Sequence, residues 1–292
     1  MEPRPLDHLV LPVASLKAAR ERLTALGFTV APDGIHPFGT ANCCVFFDDG
    51  TFLEPLAVAD ASAAAREADA GNVFVSHDHV FRGRNGDEGF SALVYGTSDA
   101  AQDHAAFEAA DISAGDMLTF AREFATPDGG RDRAEFRLAF AADEDAPDCL
   151  FFTCERVAVP KVDRSALLRH ANGVTGIAQV LMSAPAPSAL SGFLEKVTGT
   201  SAEPVSGGIA LQSGAFELRA LAPSAFADAT GLEVAGGSAR FRAVAFACLD
   251  PHRISENLLL AGIDFNWTPA GVIVPPAPGQ GAAFIFLSQD AA

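Results

Sequence analysis

An apolar, strand-like run followed by an amphipathic helix occurs four times along the chain. In the first copy the run LVLPV leads to Ser15, a good helix N-cap, and then to a helical stripe of apolar residues that stops before Gly27. The other copies begin at Phe90, Ile177 and Phe241. A supersecondary unit that recurs in this way indicates a fold built from repeats.

Two or three short apolar runs, separated by Gly, Asp or Pro, follow each predicted helix. Short runs split by turn residues are typical of hairpins, so each copy is predicted to be a βαβββ unit. One such unit leaves a sheet face uncovered, so two units must combine. The predicted fold class is α+β, with four βαβββ units forming two paired, half-open mixed β-sheet domains with helices on the outside.

The division of the chain follows from this pairing. An alanine-rich segment, ADASAAAREADAG, separates the first two units and predicts an added helix or surface arm, followed by a loop, GRNGDEG, that ends the insertion. We predict two domains: residues 1–165 hold units 6–58 and 90–160 with the insertion 59–89, and residues 166–292 hold units 173–223 and 240–290.

Charge and composition narrow the classes of function. The 37 acidic residues outnumber the 20 basic ones and give a net charge of −17. Such a surface repels nucleic acids and anionic lipids, so we expect neither as a partner. The N-terminus lacks a signal-peptide pattern and no apolar run reaches the roughly 20 residues of a membrane helix, which predicts a cytoplasmic protein. Five cysteines without CxxC spacing predict neither disulfides nor a structural zinc site.

A histidine and a carboxylate stand at opposite ends of the first unit. His8 lies on its opening strand and Glu54 on its closing strand, and paired strands can bring the two side chains to one face. Imidazole with carboxylate suits Zn, Fe, Mn, Ni or Co. Taken alone, however, the pair is more typical of a half-buried strand histidine and a solvated glutamate at a strand end than of a metal site.

Two segments of the first unit carry a resemblance to a known family. LDHLVLPVASLKAA resembles the first strand and helix of vicinal-oxygen-chelate proteins, and GIHPFGTANCCVFFDDGTFLEP is similar to their glyoxalase-like branch, in which an HPxxGTxN pattern precedes a Glu-bearing strand. The chain thus resembles the glyoxalase/bleomycin resistance/dioxygenase family. The resemblance covers residues 5–58 well and the other units in outline.

The resemblance implies roles for particular residues. It places the metal ligands at His8 and Glu54, with Glu54 also sharing in proton transfer, and it places His36 where it would position or protonate a substrate. The RHANG segment resembles a turn in related proteins, so His170 has either a turn-stabilising or a cleft role. The implied site residues are catalytic Glu54 and His36, substrate-binding Thr40, Asn42 and His170, and metal-binding His8 and Glu54.

The other units depart from this ligand pattern. A four-ligand glyoxalase site is not visible, and a triad of two histidines and Glu54 would have to recruit His36, His77, His79 or His170 from predicted loops. The third and fourth units are therefore expected to form a metal-free pair. The residues predicted to stand at the ligand positions are Ala92 and Cys154 in the second unit, Gln179 with Glu217 or Arg219 in the third, and Ala243 and Phe286 in the fourth.

Two classes of function remain open from the sequence. The leading hypothesis is a metal-dependent lyase, isomerase or dioxygenase that acts on a small oxygenated metabolite and uses a divalent metal. The alternative is a protein that binds or sequesters a small molecule without metal. In either case the expected partner is a small-molecule substrate or ligand, and a homodimer is left open.

Overall fold

Two mixed β-sheets form the framework of the protein. The computed structural model describes residues 2–125, 131–159, 163–268 and 271–288. In the first sheet the strand order is β2-β3-β5-β1-β6-β9-β8-β7, with β4 paired to β5. Its strands are β1 (Leu6–Pro12), β2 (Gly34–Ile35), β3 (Thr40–Asn42), β4 (Val45–Phe46), β5 (Phe52–Val58), β6 (Ala92–Thr97), β7 (Leu118–Ala125), β8 (Arg131–Ala141) and β9 (Leu150–Ala158).

The second sheet repeats the arrangement in the C-terminal half of the chain. Its strand order is β11-β12-β13-β10-β14-β17-β16-β15. Its strands are β10 (Val174–Ser183), β11 (Glu203–Val205), β12 (Gly208–Ser213), β13 (Phe216–Leu221), β14 (Arg240–Cys248), β15 (Asn266–Thr268), β16 (Gly271–Val274) and β17 (Ala283–Ser288).

The helices begin where the sequence supplies a cap. The side chains of Ser15, Asp99 and Asp250 each accept a backbone N–H in the first turn of the helix that follows the opening strand of its unit. The third unit has no such cap and enters its helix through a short 3-10 turn, Pro187–Leu190. The α-helices are α1 (Leu16–Ala25), α2 (Ala61–Asp69), α3 (Val73–Asn85), α4 (Ala100–Ala109), α5 (Ser191–Thr198), α6 (Pro223–Thr230) and α7 (Pro251–Leu260).

Strand pairing confirms the fold class predicted from the repeated unit. The opening and closing strands of each unit run parallel, as β1 does with β5 and β6 with β9, and the two opening strands of a pair meet antiparallel at the centre of each sheet. Leu9 lies opposite Leu93 in the first sheet and Val180 lies opposite Val244 in the second. These central pairs relate equivalent positions in the paired units.

The two sheets share one hydrophobic core. Side chains alternate along a strand, so Leu9 and Val180 turn to one face of their sheets and join this shared core with α1, α4, α5 and α7. The opposite, free face of each sheet carries a separate apolar cluster. Each sheet therefore presents one face to the shared core and the other face to a cleft of its own.

The insertion between the first two units covers the free face of the first sheet. It forms two helices, α2 and α3, and Phe74 and Val75 of α3 pack into the cluster on that face. The predicted loop begins inside α3, which also carries His77 and His79, so these histidines are not in a loop. In the second sheet, Phe226 of α6 packs into the corresponding cluster.

Two further predictions concern the cysteines and the absence of a membrane-spanning helix. The five cysteines are all free and buried, as the absence of CxxC spacing predicted. Within the part of the chain that the structure describes, no helix combines the length and the apolar character that crossing a membrane requires.

Candidate active site

His8 and Glu54 come together on the free face of the first sheet. His8 lies opposite Phe52 and Val10 lies opposite Glu54 in the parallel β1–β5 pair, so these alternate positions share a face. The His8 ring stacks on Phe52 with 4.3 Å between the ring centroids. Its Nε2 lies 3.4 Å from Oε2 of Glu54, and both side chains are buried. The two predicted metal positions are therefore neighbours in the structure.

A line of charged groups continues from His8 toward solvent. Asp7 Oδ1 accepts a hydrogen bond from His8 Nδ1 at 2.5 Å, and Arg156 Nη2 lies 2.8 Å from Asp7 Oδ2. Strict alternation would send Asp7 to the shared core, but the β1–β6 register shifts between Leu6 and His8. Such an irregularity re-aims a side chain. For this reason the sequence did not predict that Asp7 faces the site.

The neighbouring charges set the protonation of this line. Burial by itself lowers the pKa of His8, but the carboxylates of Asp7 and Glu54 raise it above its ordinary value. Burial by itself raises the pKa of Glu54, whereas His8 and the amide of Asn42 bring it down to about 2. His8 therefore lies between two carboxylates that favour its protonated form.

His36, Thr40 and Asn42 form a hydrogen-bonded cluster beside Glu54. Nδ1 of His36 lies 2.8 Å from Thr40 Oγ1, and its Nε2 lies 3.3 Å from Asn42 Nδ2 and 3.5 Å from Glu54 Oε1. Asn42 Nδ2 also donates to Glu54 Oε1 at 2.6 Å. Burial lowers the pKa of His36 to about 4, so its ring is neutral near pH 7. All three side chains are buried, and Thr40, unlike His36 and Asn42, does not line the cavity around Glu54.

The segment between His36 and Asn42 requires a glycine at position 39. Its φ is +87°, and a Cβ at this position would lie 2.6 Å from the backbone N of Ala64 and from the backbone O of Asp60. A larger residue would push the segment away from the start of α2. The close approach therefore keeps His36 pointed at Glu54.

His170 lies apart from the other predicted site residues. Its Nδ1 accepts from the backbone N of Thr29 at 3.0 Å, and its Nε2 donates to the backbone O of Phe46 at 3.0 Å. Both ring nitrogens are thus occupied by backbone groups, and His170 does not line the cavity described next. These contacts favour the turn-stabilising role over the cleft role.

A cavity, which we call the first cleft, surrounds the His8–Glu54 pair. Its cavity volume is about 80 Å³, and about 800 Å³ when the open mouth and the gaps between the lining atoms are counted as well. Most of its wall is apolar, and three arginines complete the lining. The aromatic wall residues are Phe38, Phe46, Phe52, Phe74, Phe120, Phe136 and Phe152, and the arginines are Arg122, Arg156 and Arg164.

The second unit supplies no metal ligand at the positions equivalent to His8 and Glu54. The β1–β6 register makes Ala92 the counterpart of His8, as the sequence predicted. Because Ala92 pairs with Leu150 as His8 pairs with Phe52, the counterpart of Glu54 is Phe152. The assignment of Cys154 to that position was therefore wrong by two residues, although Cys154 does line the first cleft.

The free face of the second sheet carries a wide groove, which we call the second cleft. Its register places Gln179 and Arg219 where the first cleft has His8 and Glu54, and both side chains donate to the carboxylate of Glu217. In the fourth unit the corresponding positions are Ala243 and Ile285. The assignment of Phe286 was wrong, because that side chain belongs to the shared core.

The side chains of this site offer some, but not all, of the donor atoms that a divalent metal needs. Over residues 2–125, 131–159, 163–268 and 271–288, no group of three or more His, Cys, Asp or Glu side chains is arranged as a metal centre. The donors that face each other are His8 Nε2 and the Glu54 carboxylate, with His36 Nε2 beside the other oxygen. Metal-binding histidines donate their second nitrogen to a carboxylate, as His8 does to Asp7. The residues fit an open site with two protein ligands.

Comparisons with known proteins agree with this architecture. A family model described as a glyoxalase-like domain matches residues 6–198. A comparison of the sequence with curated proteins finds no match. The fold is similar to a hypothetical protein from Staphylococcus aureus, with a TM-score of 0.65 and 13% identity over 97% of this chain and 99% of that one.

Two other solved structures also have a fold similar to that of this chain. The Mn(II)-bound glyoxalase from Novosphingobium aromaticivorans has a TM-score of 0.57 and 14% identity, over 99% of this chain and 83% of that one. A mutant of 4-hydroxymandelate synthase from Streptomyces coelicolor has a TM-score of 0.60 and 13% identity, over 99% of this chain and 93% of that one. At such identities the likeness concerns the fold. The match to the family model over residues 6–198 shows that the chain belongs to the glyoxalase-like domain family.

Proposed function

We propose that the protein is a metal-dependent lyase, isomerase or dioxygenase that acts on a small oxygenated molecule in the first cleft. The observation that carries this proposal is the buried His8–Glu54 pair, with His8 oriented by Asp7. A buried carboxylate beside a buried imidazole costs free energy unless each is compensated, and a functional role accounts for keeping them in an apolar cavity.

The chemistry of the pair supports a divalent ion. Nε2 of His8 and the carboxylate of Glu54 face each other at 3.4 Å and would be the residues that hold the ion, and metal binding commonly displaces the proton of a ligating histidine. The remaining coordination positions would be open to substrate. When bound, the metal would act as a Lewis acid that holds two adjacent substrate oxygens and stabilises developing negative charge. A solved structure of similar fold is named as Mn(II)-bound, and Mn is among the metals that these ligands suit.

The residues around the pair have separate tasks. Asn42 holds Glu54 Oε1 in place through its amide. Neutral His36, fixed by Thr40, offers a hydrogen bond in the first cleft, and its low pKa suits it to positioning a substrate more than to carrying a proton. The phenylalanine walls exclude water from the reacting atoms.

A second candidate function is binding or sequestration of a small molecule without metal. The observation in its favour is that Ala92 and Phe152 occupy the positions where the paired unit could supply further ligands. In that case the His8–Glu54 pair would be a hydrogen-bonding group for the ligand.

Metal titration of the untagged full chain separates the two candidates. We expect the wild type to bind one equivalent of Mn²⁺ or Zn²⁺ in calorimetry, and the His8→Ala variant to lose more than the roughly 10- to 100-fold in affinity that changes in outer-shell residues cost. The matched control is Gln179→Ala, which removes the equivalent side chain from the second cleft and should leave metal binding unchanged. The metal-dependent proposal would be contradicted if the wild type binds neither ion, or if His8→Ala binds the ion as tightly as the wild type. Either result would leave the metal-free proposal.

A further inference from the structure

Three arginines from both halves of the chain gather where the end of α3 meets the start of β14. Arg84 lies in the last turn of α3, and Arg240 and Arg242 lie at the beginning of β14. The carboxylate of Asp148, which precedes β9, interacts electrostatically with all three. We call these four residues the junction cluster. It concentrates positive charge on a chain whose net charge is −17.

The carboxylate of Asp148 is already engaged by other groups. Its Oδ1 accepts a hydrogen bond from Asn85 Nδ2 at 3.2 Å and lies 3.2 Å from Arg84 Nε. Its Oδ2 accepts a hydrogen bond from Ser238 Oγ at 2.7 Å. Asp148 therefore pairs directly with Arg84, whereas the two arginines of β14 interact with it only at longer range.

The guanidinium groups of Arg240 and Arg242 have unused N–H donors. Neither forms a hydrogen bond or an ion pair with any residue in the ranges that the structure describes, and the Nε atom of each is buried. Arg240 is held by the ring of Phe81, whose centroid lies 5.8 Å from its guanidinium carbon, and this contact uses none of its N–H groups. A buried donor without a partner costs free energy, and a bound ion is one explanation for such a donor.

An irregularity in β14 sets the direction of Arg242. Its neighbours in the sequence lie opposite Met182 and Leu181 of β10, so Arg242 is an extra residue that faces no residue of that strand. A bulge of this kind re-aims a side chain. Burial lowers the pKa of Arg242, and repulsion from Arg240 acts in the same direction, so the two cations lie close enough to oppose each other. An anion placed between them would relieve that repulsion.

The charge of the junction cluster selects the class of ligand. Three guanidinium groups and one carboxylate leave two positive charges, which a phosphate dianion would balance and a single carboxylate would not. The planar fork of an arginine also matches the oxygens of a phosphate group. We infer that the junction cluster binds a phosphate group through Arg240 and Arg242, with Arg84 beside them. The group is either inorganic phosphate or the phosphate of a small organic monoester.

Binding of small anions tests the inference on the untagged full chain. Calorimetry would compare inorganic phosphate and glycerol 3-phosphate with acetate, at constant ionic strength and with EDTA so that no metal contributes. We expect at least one phosphate probe to bind about tenfold or more tightly than acetate, and Arg240→Gln and Arg242→Gln each to weaken its binding by about tenfold. Arg242→Lys, which keeps the charge without the planar fork, should have an intermediate affinity. The probe that binds more tightly identifies the source of the phosphate.

Two controls locate the binding site. Arg253→Gln removes the same charge from an exposed position on α7, and Arg164→Gln removes an arginine that lines the first cleft. Both should leave phosphate affinity unchanged, and thermal unfolding should show all the variants to be folded.

Three results would overturn the inference. They are phosphate probes that bind no more tightly than acetate, wild-type affinity in both Arg240→Gln and Arg242→Gln, and loss of phosphate binding in Arg164→Gln. The outcome is separate from that of the metal titration. Metal binding without phosphate binding would contradict this inference alone, and phosphate binding by a protein that binds no metal would contradict the proposed function alone.

Discussion

The first and second clefts lie at the same point of two sheets with the same topology, yet the first holds His8 and Glu54 where the second holds Gln179 and Arg219. Their covers differ as well. The first cleft is covered by α2 and α3 and keeps a cavity with buried polar groups, whereas α6 packs Phe226 into the free face of the second sheet.

This difference shows which residues are needed to pack the fold and which are needed to form the site. Both sheets keep the apolar residues that face the shared core, since Leu9 and Val180 are each fully buried there. On the free faces the residues are less constrained by packing, so one face can hold a charged site and the other a glutamine. A function assigned to this chain should therefore depend on the first cleft and be insensitive to equivalent changes in the second.

The largest contrast is expected from removing the aromatic residue that each covering helix contributes. Phe226→Ala should cost about 3–5 kcal/mol of unfolding free energy, because Phe226 is 1% exposed and fills the apolar cluster of the second sheet. Phe74→Ala should cost only about 2 kcal/mol, because Phe74 already borders an open cavity. Guanidinium denaturation measures both. Equal losses would mean that the two covers are packed alike.

Neutralising one carboxylate in each cleft should separate them by metal affinity. Glu54→Gln removes a proposed ligand and is expected to weaken Mn²⁺ binding by about 100-fold, or about 2.7 kcal/mol. Glu217→Gln makes the same chemical change in the second cleft, where no histidine accompanies it, and should change the affinity by less than about twofold. Calorimetric titration compares the two, and a similar loss in both variants would contradict the assignment of the site to the first cleft.

Asp7 tests the group behind His8. Asp7→Asn keeps the shape but removes the charge that orients His8 and holds Arg156, so metal affinity should fall by roughly tenfold, at the lower end of outer-shell effects. Asp48→Asn, an exposed residue beside the second cleft, is the control for the loss of one negative charge. An Asp7→Asn variant with wild-type affinity would show that His8 needs no carboxylate behind it.

The smallest effect concerns pH and the cover of the first cleft. His77 of α3 donates to the backbone O of Ser91, and burial lowers its pKa to about 4. Between the ordinary histidine pKa of about 6.5 and 4, the unfolded chain binds a proton that the folded chain does not, so stability falls as pH falls through this window. At pH 4.5 this proton uptake should lower the free energy of unfolding by about 1 kcal/mol, because the partial exposure of His77 weakens the effect.

His77→Gln isolates this contribution, because glutamine keeps an amide donor for Ser91 and does not titrate. The difference in unfolding free energy between pH 7 and pH 4.5 should be smaller in this variant than in the wild type. His252→Gln, at an exposed position on α7, should leave the difference unchanged. An identical pH dependence in the wild type and His77→Gln would remove His77 as its source.

Local rules were enough to predict part of the site. The parity of strand positions placed His8 and Glu54 on one face, and a polar residue before an apolar stripe located the Ser15 cap. These features depend only on residues close in sequence. The same holds for the repeated unit, whose strands and helix are each encoded within a short segment.

Features that depend on distant segments were not predictable in this way. The equivalence of Phe152 and Glu54 depends on the register of two parallel strand pairs joined by segments of different length, so an alignment of polar residues selected Cys154 instead. Asp7 reaches His8 only through an irregularity in pairing with β6. Arg122 and Arg164 line the same cavity only after the chain has folded.

The shared core has a practical consequence for shortening the protein. A fragment ending near residue 165 would keep the first cleft intact but would leave Leu9, Tyr95 and Phe151, each fully buried in the whole chain, without the second sheet that covers them. Exposed apolar surface of this kind promotes aggregation. The C-terminal sheet therefore keeps the back of the first sheet out of water, and a shortened protein that retains only the first cleft would need a redesigned polar surface there.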